Sequence, residues 1–117
     1  MPRLPAPTLL VALMSGAFLL APAAMAAEGS VTIESPKDGA KLDAMAQNKL
    51  VYSVVPGPNG DHVHVYVDGK EVGILRQLKG SYTLETLAGG KHDICIKVVN
   101  KAHTPIGLQQ CVKVQVD

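Results

Sequence analysis

After residue 26 the chain repeats one pattern. Short runs with β-branched residues at alternate positions are each stopped by a cluster of Gly, Pro, Asn or Asp. The clearest run is HVHVYV at 62–67, where Val63, Val65 and Val67 fall on one face of a strand and His62, His64 and Tyr66 on the other. Asp68-Gly69 follows it as a hairpin turn signal. Comparable runs occupy 31–33, 49–55, 72–75, 81–87, 92–99 and 111–116. In the last two, Ile94, Ile96 and Val98, then Val112, Val114 and Val116, face inward by parity. Residues 38–48 lack the strand pattern, and Ala40 to Ala46 are expected to form a helical turn.

Seven short strands over about 90 residues, with turns about every 8–12, predict an all-β, immunoglobulin-like (fibronectin-III-like) seven-stranded sandwich. A small barrel is the alternative. The only Phe, Phe18, precedes this region and the chain has no Trp, so Val, Ile and Leu must fill the core.

Residues 1–26 read as a cleaved signal peptide, leaving one domain at 27–117. Arg3 gives the positive start, and LLVALMSGAFLL at 9–20 is too short to cross about 30 Å of hydrocarbon as a helix. Pro22 breaks the segment, and Ala24-Met25-Ala26 supplies small residues before a cut at Ala27 or Glu28. An uncleaved anchor is the rival reading. No Cys follows the cut to carry a lipid, and no second apolar run has membrane length. A periplasmic or secreted protein is expected, with no membrane span after cleavage. The chain has 11 Lys+Arg and 10 Asp+Glu, and losing Arg3 brings the two into balance. A neutral chain has no long-range field for nucleic acid or anionic lipid.

Two cysteines behind an export signal predict a disulfide between Cys95 and Cys111. If the last two strands form a hairpin with 95 opposite 111, then 97 faces 109, 99 faces 107, and 100–106 is the loop. The closed loop of about 15 residues is worth about 3 kcal/mol in the chain-entropy model. No CxxC spacing points to redox chemistry.

The four histidines fall into two groups. His62 and His64, two apart on a strand, project from the same face. In the expected sandwich the third and sixth strands are neighbours, and the loop after the sixth holds His103. His62, His64 and His103 are therefore the candidate Zn²⁺ or Cu²⁺ ligands at one rim, with Asp61 as an oxygen ligand or a group that orients one. The competing reading makes them exposed histidines that satisfy local backbone groups. His92 begins the sixth strand at the opposite end and is expected to be structural, partly buried and hydrogen-bonded around Gly89-Gly90.

No catalytic arrangement stands out. GxSxG is absent, the cysteines are expected to be paired, and Gly57-Pro58-Asn59-Gly60 precedes a strand rather than a helix. The basic residues are scattered and not interleaved with aromatics.

Three stretches carry a family resemblance. IESPKDGA at 33–40 resembles the opening strand of bacterial immunoglobulin-like and fibronectin-III-like modules. GDHVHVYVDG at 60–69 is similar to the HxHxxxDG strand of small exported bacterial domains of unknown function. LAGGKH at 87–92, followed by 100–103, is similar to the GxH…H tract near the C-termini of those domains. The resemblance implies an immunoglobulin-like periplasmic domain with recurrent histidines at His62, His64, His92 and His103. The Cys95/Cys111 pair is not part of that pattern.

These readings converge on a non-enzymatic exported sandwich, monomeric or weakly dimeric, that binds copper or zinc. The rival is an envelope protein–protein interaction module with structural histidines and no metal.

Overall fold

The computed structural model describes residues 28–117, so the expected leader at 1–26 lies outside the described residues. Eight strands form: β1 (Ser30–Ser35), β2 (Lys41–Leu42), β3 (Lys49–Val55), β4 (His62–Val67), β5 (Lys70–Leu75), β6 (Lys79–Thr83), β7 (Gly90–Val99) and β8 (Pro105–Val116). They make two sheets, β1-β3-β6 and β2-β8-β7-β4-β5, antiparallel except where β2 pairs with β8. Among the described residues no helix is long and apolar enough to cross a membrane.

The core lies between the sheets and follows the alternation in the sequence. Val63, Val65, Ile94, Ile96, Val98, Val112, Val114 and Val116 are buried on the larger sheet. They meet Ile33, Leu50, Tyr52 and Val54 from the smaller one. With about 1.5–3 kcal/mol gained for each fully buried aliphatic side chain, this layer holds the fold. Tyr52 supplies the one large ring at the centre. Its hydroxyl donates to the Gln77 carbonyl at 2.9 Å, which satisfies a polar group that burial would otherwise penalise.

Three expectations need correction. The 40–46 stretch is not helical: Lys41 and Leu42 pair with Gln115 and Val116, and a turn at Asp43–Ala46 follows. The run at 81–87 forms its strand earlier, at Lys79–Thr83, although Leu84 and Leu87 still reach the core. The last strand begins at Pro105 rather than at 111.

The last hairpin also departs from the expected register. Cys95 faces Cys111 and Lys97 faces Gln109, as the sequence predicts, but Val99 faces Pro105 rather than 107. Two extra residues bulge from β8 around Gly107, whose φ of 92° suits glycine. Ile106 and Leu108, on either side of it, pack against the core. The bulge therefore shortens the connection to 100–104.

Candidate metal centre

The site begins with strand pairing. His62, His64 and Tyr66 of β4 lie opposite Val99, Lys97 and Cys95 of β7, on the face of the larger sheet that points away from the core. An outward face normally meets water, yet His62 is 1% exposed and His64 3%. This overturns the reading of these two as exposed strand histidines. The connection after β7 folds back so that His103, itself exposed, reaches both rings.

That connection is built to hold one conformation. The Asn100 side-chain oxygen accepts from the Ala102 and Thr104 amides at 2.9 and 3.0 Å. The His103 amide donates to the Asn100 carbonyl, and the Asn100 amide to the Thr104 carbonyl, both at 2.9 Å. His103 sits at φ 65°, the left-handed position that glycine normally fills in a three-residue hairpin loop. A non-glycine residue pays about 1–2 kcal/mol there.

The three ring nitrogens form a nearly equilateral triangle. His62 Nε2 is 3.2 Å from His64 Nε2 and 3.3 Å from His103 Nδ1, and His64 Nε2 is 3.2 Å from His103 Nδ1. The tautomer of His62 follows from the carboxylate behind it. Asp61 Oδ2 lies 2.9 Å from His62 Nδ1, and a carboxylate only accepts, so the proton sits on Nδ1 and Nε2 presents its lone pair to the triangle. The same bond, with help from Lys101 and Arg76, holds the Asp61 carboxyl below its ordinary pKa. Asp61 thus stands behind a ring, not at the point where the three nitrogens converge.

Glu71 has the same relation to His64, with Oε1 3.0 Å from Nδ1. The contact is at ion-pair distance but misses hydrogen-bond geometry, which leaves His64 Nδ1 a buried nitrogen without a hydrogen-bond partner. A buried polar group left without a partner costs about 1–3 kcal/mol.

Sequence parity misses Glu71. Counting back from Ile74, which pairs with His64, places residue 71 on the core-facing side of β5. A bulge at Val72 reverses this: Val65 pairs with Gly73 and Tyr66 with Glu71, which turns Glu71 onto the histidine face. The Tyr82 hydroxyl donates to the Val72 carbonyl at 3.0 Å and ties down the bulged residue. Gly73 makes room for that ring, because a Cβ there would stand 2.9 Å from it.

His92 lies at the other end of the larger sheet. Its Nδ1 is 2.6 Å from Asp68 Oδ2 and its Nε2 2.7 Å from the Ala88 carbonyl, beside the Gly89-Gly90 turn. Both partners are acceptors, so the doubly protonated ring fits best, and these contacts raise its pKa. Asp68 was not anticipated. Its other oxygen accepts from the Asp93 amide at 2.9 Å, and this bond, followed by the one to His92, lowers its pKa. Cys95 and Cys111 are disulfide-bonded across β7 and β8.

The architecture matches known sandwiches. The chain is similar to the fibronectin(III)-like modules of Clostridium thermocellum CbhA, with a TM-score of 0.63 at 19% identity over 74% of this chain and 96% of that one. It is similar to an engineered protein at TM-score 0.55 and 21% identity, over 89% of this chain but 21% of the other. It also resembles the extracellular domain of a putative one-component system from B. thetaiotaomicron, at TM-score 0.50 and 13% identity, over 75% of this chain and 15% of that one. The fold is thus a fibronectin(III)-like β-sandwich. No protein-family model matches the sequence, and no curated protein matches it significantly.

Proposed function

We propose that this protein is an exported, non-enzymatic β-sandwich module that binds a zinc ion through His62 Nε2, His64 Nε2 and His103 Nδ1. The single observation that carries the reading is the triangle of ring nitrogens. Tetrahedral ligands at about 2.0–2.1 Å from zinc stand about 3.3–3.4 Å from one another, close to the observed sides. A square-planar Cu²⁺ site with bonds of about 2.0 Å would need unequal sides of about 2.8 and 4.0 Å, so the shape favours zinc over copper.

The surroundings support the same reading. In metal sites a histidine ligand usually donates its other ring nitrogen to a carboxylate, which fixes the tautomer and raises the basicity of the ligand. Asp61 takes that role for His62, and Glu71 for His64 after a small turn of the ring. His62 Nε2 presents its lone pair to His64 Nε2 across 3.2 Å in a buried site, a contact that a metal ion or a proton on His64 Nε2 satisfies. The disulfide suits an oxidising compartment, periplasmic or secreted.

The test is elemental analysis of the purified, disulfide-bonded protein, followed by calorimetric titration with Zn²⁺ and Cu²⁺. One equivalent of zinc bound at micromolar or tighter affinity, and lost in a folded His62→Ala, His64→Ala variant, supports the proposal. A folded protein that takes up neither metal overturns it and leaves the histidines as a structural cluster in an interaction module.

A further inference from the structure

The triangle is too small to hold an ion in its own plane. Nitrogens 3.2–3.3 Å apart lie about 1.9 Å from their common centre, inside the shortest Zn–N bond of about 2.0 Å. The ion must therefore stand off the plane by several tenths of an ångström. Three histidines then form the base of a pyramid, and the apex needs a fourth donor.

Among the described residues no fourth His, Cys, Asp or Glu side chain joins the three, whose donor atoms all lie within 4.8 Å of one another. The two nearest carboxylates are committed to the far sides of the rings, Asp61 on His62 Nδ1 and Glu71 beside His64 Nδ1. Moving Asp61 to the ion would leave the buried His62 Nδ1 without its acceptor. His103 is the exposed member of the set, so the site meets solvent through its loop.

Charge indicates what fills the apex. Asp61 and Glu71 together offset the two charges of the ion. Three cations remain close by: Arg76, with Nη1 3.7 Å from Asp61; Lys101, in the His103 loop; and Lys97, opposite His64, with Nζ 4.4 Å above the Tyr66 ring. We infer that the bound zinc keeps one coordination position open and takes an anionic donor from outside the chain, such as a carboxylate, a thiolate or a small inorganic anion, in exchange for water. The exchange is simple: water leaves with its own electron pair, the anion donates one, and no group is oxidised or reduced. This rests on the zinc reading and adds a ligand-binding function to it.

The experiment replaces zinc with Co²⁺ in the purified, disulfide-bonded protein and follows its visible spectrum while sodium azide is added. The expected result is the intense spectrum of tetrahedral Co²⁺, shifted by azide saturably and with one-to-one stoichiometry. Neutral imidazole should shift it more weakly than azide, and the folded Lys97→Gln, Lys101→Gln variant should need several-fold more azide. A tetrahedral spectrum that azide leaves unchanged means a closed fourth position, which overturns this inference but not the metal site. If imidazole competes as well as azide, the preference for anions is overturned. Absence of any tetrahedral Co²⁺ spectrum in a folded protein overturns both.

Discussion

His62 Nε2 and His64 Nε2 stand 3.2 Å apart on a sheet face that points away from the core, with both rings almost fully buried. Alternation along β4 places them on one side, and the His103 ring on the returning loop packs against both. Asp61 sets which nitrogen of His62 points inward, Glu71 lies 3.0 Å from His64 Nδ1, and His103 completes the triangle from the exposed side.

Metal binding should appear as stability. A ligand at 100 times its dissociation constant adds about 2.7 kcal/mol to a folded state that alone binds it. For a domain of this size that raises Tm by about 10–20 °C. Thermal scans with and without zinc should show the rise in the native protein and none in the His62→Ala, His64→Ala variant.

Asp61→Asn and Glu71→Gln should each weaken zinc binding by about 10- to 100-fold without abolishing it, the usual cost of removing a group that orients a ligand. Competition titration against a chromophoric chelator measures this. A Tyr82→Phe variant should weaken binding less, because it removes only the bond that ties down the bulge aiming Glu71.

Substituting His103→Gly separates binding from folding. Glycine accepts φ 65° without strain, so the metal-free variant should be as stable as the native protein or up to about 1 kcal/mol more so. Its zinc affinity should nevertheless fall sharply. A large loss of stability on urea denaturation of the metal-free variant would mean that the ring itself holds the loop.

The His92–Asp68 contact gives the fold a pH dependence of known sign. The pKa of His92 is raised in the folded state, so its contribution is full below the unfolded value of about 6.5 and fades as pH rises through the folded value. Asp68 is lowered, so its contribution is full above about 3.9 and fades as pH falls through its folded value. Their joint effect is greatest between about pH 4 and 6.5. Urea midpoints measured across pH should show a maximum there that flattens in His92→Gln and in Asp68→Asn.

Replacing both cysteines with serine should cost about 3 kcal/mol, the loop-closure value for a bond spanning 16 positions. Chemical denaturation of the variant, compared with the oxidised and reduced native protein, measures it.

The sequence by itself determined much of this protein. The period of two assigned the strands and the inward residues, because strand side chains alternate whatever lies beyond them. The same parity grouped His62 with His64, while Cys95 opposite Cys111 followed once a terminal hairpin was assumed and His103 became a candidate partner once neighbouring strands were assumed. Tertiary structure decided the rest, through two bulges. One, at Gly107, shifts β8 by two residues and reduces the expected 100–106 loop to the tight turn that presents His103. The other, at Val72, turns Glu71 onto the histidine face. A bulge is an extra residue accommodated because of what the opposite strand or sheet requires, here Tyr82 reaching across to Val72. A local period carries no trace of such a partner. Burial of His62 and His64 has the same origin: alternation says which way a ring points, and only the fold says what covers it.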